Sequence, residues 1–124
     1  MRKVMWILVV VAVVLSGCAS SHTLTFVESR NVELYEEEYV ALFFNYTNDS
    51  GETAIPCEWV DVKAFQHGVE LVVTVFTGEK VNGAVQCDTS IQAGATARVV
   101  WLFERVDDSP VSIEMSDGQK FTVE

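Results

Sequence analysis

A chain of 124 residues that is 49% hydrophobic and 21% charged holds one ordinary domain with enough apolar matter for a core, so wholesale disorder is excluded. Eighteen acidic residues against eight basic ones give a net charge of −10 at pH 7. A nucleic-acid binder is not expected, because it needs a basic footprint to displace phosphate counterions.

The N-terminal segment opens with Arg2 and Lys3 and continues as an apolar run over residues 4–15. A charged start, a short apolar stretch and small residues behind it make a secretory signal peptide. The run is too short for a span of about 20 residues. Its last four residues, Leu15-Ser16-Gly17-Cys18, resemble the lipobox of bacterial lipoproteins. That resemblance implies cleavage after residue 17, diacylation of the Cys18 sulfur and retention on the extracytoplasmic face of a bacterial membrane. Removal of residues 1–17 leaves 107 residues, with six basic side chains against all eighteen acidic ones, a net of −12. Such a domain is repelled by an anionic bilayer; the acidity serves solubility or recognition of a cationic partner. Residues 18–23 read as the lipidated cysteine and a short polar tether, and residues 24–124 as the folded domain. Five tether residues reach only about 17 Å, which keeps the domain close to the membrane.

Residues 33–38 have the composition of a helical turn leading into a strand. Residues 39–46 (Tyr-Val-Ala-Leu-Phe-Phe-Asn-Tyr) are β-branched and aromatic, as a buried strand requires. Turn formers follow at residues 47–51. Residues 59–65 and 69–76 are two further strand-like runs, joined by Gln66-His67-Gly68, where Gly68 supplies the positive φ of a tight hairpin. Asn82-Gly83 is another hairpin signal. Residues 96–104 form a long strand entered through Gln92-Ala93-Gly94, and Asp117-Gly118 joins strands at 111–115 and 119–123. About seven strands at this spacing predict an all-β antiparallel sandwich.

Cys57 and Cys87 form an even pair in an exported, oxidising setting and predict a disulfide. Closing the loop between them contributes about 3 to 4 kcal/mol. Two buried thiols, or a reactive or metal-binding thiol, are the alternatives. With no C-x-x-C spacing and only His22 and His67 as histidines, a zinc site is not expected, nor is any other metal or cofactor.

The acidic run Glu36-Glu37-Glu38 reads as a solvated, edge-protecting face. Asn48, Asp49 and Glu52 bring oxygen ligands together but lack the order of a calcium loop, so Asp49 is expected to bond its own turn. Asp107-Asp108-Ser109-Pro110 reads as a turn, and His67 as a hairpin tip rather than a general base. No G-x-S-x-G elbow is present. Asn45-Tyr46-Thr47 and Asn48-Asp49-Ser50 match the glycosylation sequon, by coincidence in a bacterial lipoprotein. Trp101 belongs with Val99 and Phe103 in the core. Trp59 shares a strand face with Asp61, Lys63 and Phe65, and either packs over the Cys57–Cys87 bridge or binds sugar or peptide.

Residues 44–53, 62–71 and 91–96 (Ile-Gln-Ala-Gly-Ala-Thr) are similar to the turns and hairpin of small bacterial lipoproteins, mostly Gram-positive, with an immunoglobulin-like domain of unknown function. The resemblance spans about residues 35–115 and departs from the pattern at Ala93, where proline is common. It implies an immunoglobulin-like β-sandwich on a lipid anchor and no chemistry. The expected role is a non-enzymatic binding or interaction module of the cell envelope. Its ligand is an envelope protein, peptide or glycan, taken at Trp59 and the turn holding Asn48, Asp49 and Glu52. The alternative is a protective or inhibitory lipoprotein that captures cationic peptides, enzymes or phage factors.

Overall fold

The computed structural model describes residues 21–124. The expected signal peptide and the expected lipidation position Cys18 lie outside these residues. Two sheets pack as a sandwich, the fold class predicted by the turn spacing, with nine strands among the described residues where about seven were expected. One sheet runs β1 (His22–Leu34), β2 (Glu37–Asn48), β7 (Thr96–Glu104) and β5 (Val73–Thr74), with β6 (Val85–Gln86) sharing the far edge of β7. The other runs β4 (Val69–Glu70), β3 (Val62–Gln66), β8 (Val111–Met115) and β9 (Lys120–Val123). All ladders are antiparallel except β6 with β7.

The sandwich core is built by alternation. Val40, Leu42, Phe44 and Tyr46 of β2 and Val99, Trp101 and Phe103 of β7 point inward to meet Val62, Ala64, Val111, Ile113, Phe121 and Val123 of the second sheet. Trp101 lies in this core, edge-on to Phe44 at 5.3 Å, as its neighbours predicted. The alternate residues Tyr39, Ala41, Phe43, Val100 and Leu102 do not face solvent. They form a second cluster, covered by Phe76, Val81 and Ala84 from the segment between β5 and β6. Arg98 completes that cover, its guanidinium 4.9 Å from the Phe43 ring centre and paired with Glu28. β2 and β7 are thus buried on both faces, which is why they read as continuous apolar runs.

The longest strand, β1, was not predicted, and the reason is a bulge. Its register against β2 slips between Phe26 and Glu28. Before the slip Leu24 and Phe26 face the sandwich core; after it Val32 and Leu34 pack on the outer cluster. The alternation changes phase in mid-strand, and no single period-2 pattern survives. β1 also begins at His22, two residues inside the segment read as tether.

Three other expectations are corrected. Tyr35 and Glu36 have φ of 52° and 66°, so residues 33–38 hold a two-residue hairpin turn, not a helical one. Residues 69–76 are not one strand: burial of Leu71 turns the chain from β4 in one sheet to β5 in the other. Residues 59–61 precede β3, and Trp59 instead ends a helical turn, α1 (Pro56–Trp59). Pro56 sits at its first turn, where a missing N–H costs nothing. The turns at His67-Gly68, Asn82-Gly83 and Asp117-Gly118 form as predicted.

Candidate functional site

A surface cleft lies at the sandwich end that carries the start of β1. Asn48, which pairs with His22 across the first hairpin, is fully buried. Its Nδ2 donates to the carbonyls of Glu52 (2.7 Å) and Ile91 (3.0 Å), and its Oδ1 accepts from the Ser50 amide (3.0 Å) and hydroxyl (2.6 Å). One amide side chain therefore shapes the whole 48–52 loop. Asn48, expected to help bind a ligand, is buried beneath the loop with its side-chain amide bonded within the protein. The predicted own-turn bond of Asp49 belongs to Asn48 as well; Asp49 instead donates its amide to the Ser21 carbonyl at 2.8 Å, tying down the N-terminal end of β1.

Trp59 is brought to this loop by α1. The turn is held by the Glu58 amide on the Ile55 carbonyl and the Val60 amide on the Pro56 carbonyl, both 3.0 Å. The indole is 58% exposed and stacks on the His22 imidazole at 4.1 Å with 13° between planes. His22 is itself positioned from behind, since its Nδ1 lies 2.6 Å from the hydroxyl of buried Tyr46. Burial lowers the His22 pKa and raises that of Tyr46. Trp59, His22, Ser21, Ser50, Glu52, Thr53 and Ala54 surround an open cleft of about 500 Å³. Of the predicted binding residues the structure brings Trp59 and Glu52 together there, with Asn48 beneath. His22 was missed as a site residue because its role depends on the unpredicted strand β1.

The cleft offers an aromatic face, hydroxyls and a carboxylate, which suits binding. A second cluster contains the residue types of a hydrolase triad without its geometry. Asp107 Oδ2 and Ser109 Oγ lie 2.8 and 3.2 Å from the same ring nitrogen, Nε2 of His67. A triad needs the carboxylate on one ring nitrogen and the nucleophile on the other. The cluster instead builds the predicted turn. Gln66 donates to the Ser109 carbonyl (2.7 Å) and accepts from the Val106 amide (2.8 Å), and the Ser109 amide donates to Asp107 Oδ1 (2.8 Å). The His67 hydrogen bond, followed by the Ser109 amide, holds the Asp107 carboxyl down at about 2.

The predicted Cys57–Cys87 disulfide is absent; both cysteines are free thiols, Cys57 exposed and Cys87 buried. The expectation of proximity was right and that of a bond was not. The Cys57 amide donates to the Cys87 carbonyl at 3.1 Å, and the two thiols are hydrogen-bonded neighbours. Burial, then the adjacent Cys57, pushes the Cys87 thiol well above its ordinary pKa, which keeps it a thiol rather than a reactive thiolate. Trp59 packs on His22 rather than over a bridge. Among the described residues no three or more His, Cys, Asp or Glu side chains gather in a way that holds a metal ion.

No curated protein and no solved structure matches this chain. A family model described as a domain of unknown function (DUF5067) matches residues 21–117. That span runs from the residue before β1, through both sheets and the Trp59 cleft, to the turn between β8 and β9. The chain therefore belongs to the DUF5067 family of domains of unknown function.

Proposed function

We propose that this protein is a non-enzymatic binding module, held on the extracytoplasmic face of a bacterial membrane by a lipid on Cys18, with the Trp59 cleft as its ligand site. One observation carries the reading of the site: an indole that is 58% exposed is nevertheless fixed in place, stacked on His22 beside Glu52. A large apolar surface left in water and rigidified before any ligand arrives is the arrangement of a binding platform, because its ordering cost is already met by the fold. The sandwich supplies the rigid frame, the anchor a high local concentration at the membrane.

Two substitutions test the two halves. Cys18→Ser abolishes lipid labelling and membrane retention; retention without labelling removes the anchor. Trp59→Ala in the acylated chain removes the crosslinks made in the native membrane while leaving the melting temperature within a few degrees, as a surface substitution of about 0.5 kcal/mol does. A large drop in melting temperature with crosslinks intact assigns Trp59 to packing instead.

A second reading, capture of cationic peptides or enzymes, is favoured by the charge of the segment that brings Glu52 and Trp59 to the cleft: residues 49–61 carry Asp49, Glu52, Glu58 and Asp61 and no Lys or Arg. Crosslinks to diffuse basic species that vanish at high salt select it.

A further inference from the structure

The distance between anchor and cleft determines what lies against the site. Only four residue steps separate Cys18 from His22, a reach of at most about 14 Å, and His22 is the ring on which Trp59 stacks. The first described residue, Ser21, lines the cleft and is fastened to Asp49. Resting on the anchor proposed above, we infer that the Trp59 cleft faces the bilayer and takes the ammonium head group of a zwitterionic phospholipid.

Three observations support this occupant. The exposed indole, apolar in body with a single N–H, belongs to the side chain most at home in the head-group layer. Its free face attracts an alkylammonium through the ring quadrupole, and tryptophan does so best among the aromatic residues. The charge of this end then selects among lipids. Asp49, Glu52, Glu58 and Asp61 stand without a basic neighbour in residues 49–61, so anionic head groups are repelled while Glu52, inside the cleft, faces the ammonium. The platform is formed before the lipid arrives, since the Tyr46 hydroxyl fixes His22 at 2.6 Å.

Trp59 reports its own environment. Trp6 lies in the signal segment and Trp101 is buried in the core, so subtracting the spectrum of Trp59→Phe leaves the exposed indole alone. The full acylated chain is incorporated into vesicles of phosphatidylethanolamine with phosphatidylcholine, or of phosphatidylglycerol alone. Flotation, emission wavelength, quenching by aqueous iodide and quenching by lipids brominated near the head group are then read. Trp59 is expected to shift to the blue, to be shielded from iodide and to be quenched by the brominated lipid in the first vesicles, with loss of all three effects in phosphatidylglycerol. Flotation with Trp59 open to iodide in every vesicle overturns the head-group site and leaves the anchor standing. An equal shift in phosphatidylglycerol overturns the ammonium assignment. Failure of the native chain to float overturns the anchor and this inference with it.

Discussion

Asp107 and His67 show how a pair of exposed side chains can resemble chemistry and be architecture. Their 2.8 Å contact joins the β3–β4 hairpin tip to the turn before β8. The carboxyl is held at about 2 against an ordinary 3.8, chiefly by the His67 hydrogen bond. A carboxyl lowered by folding stabilises the fold above its unfolded pKa and loses that contribution as pH falls through its folded one, here between about 4 and 2. Replacing His67 by Ala should therefore return the Asp107 titration toward 3.8, read by NMR of the carboxyl carbon. A value that stays near 2 would give the Ser109 amide the main role. The residue scale is also where the sequence was least informative about the site. Trp59 and Glu52 could be singled out by type, but Asn48 looked like a ligand because its chemistry is the same buried or exposed. Only its zero exposure and four bonds within the protein show that its capacity is spent.

At the scale of elements, turn chemistry was legible at three glycine-marked hairpins and obscure at the first hairpin, which has no glycine. Gly68, Gly83 and Gly118 all take positive φ at the predicted hairpins. The β1–β2 turn has none, and Tyr35 and Glu36 occupy left-handed conformations that cost non-glycine residues about 1 kcal/mol or more each. Tyr35 has a compensation, a hydroxyl that donates to the Glu79 carboxylate and a ring against Phe76 at 5.1 Å. Glu36, with no side-chain hydrogen bond of that kind among the described contacts, does not. Glu36→Gly is expected to stabilise the protein by about 0.5 to 1 kcal/mol in urea unfolding, and destabilisation would show that the turn is not strained at that position. β1 itself was illegible for a different reason: its bulge sends apolar residues to opposite faces, so its pattern averages to that of a loop.

Across the whole molecule, the all-β class and the core strands were readable because turn spacing and apolar runs are local properties. The second layer was not. Nothing in residues 75–86 announces that they cover the outside of a sheet, since Phe76, Val81 and Ala84 are few and unperiodic. The layer makes a measurable claim. Leu42 faces the sandwich core and Phe43 the outer cluster, and both are fully buried. Leu42→Ala should cost about 2 to 5 kcal/mol and Phe43→Ala about 3 to 5, measured by denaturant unfolding. A two-layer sandwich with a solvated outer face would lose far less at Phe43.

The double burial of β2 also sets the order in which the protein becomes safe in water. The β1–β2 hairpin ends at Asn48, while its neighbour β7 starts only at Thr96 and the cover for its outer face lies between them. Until β7 follows, a nearly finished hairpin presents two greasy faces and an unpaired edge. The nascent chain is thus most prone to self-association at about its midpoint, and any helper that shields it must release it when β7 arrives.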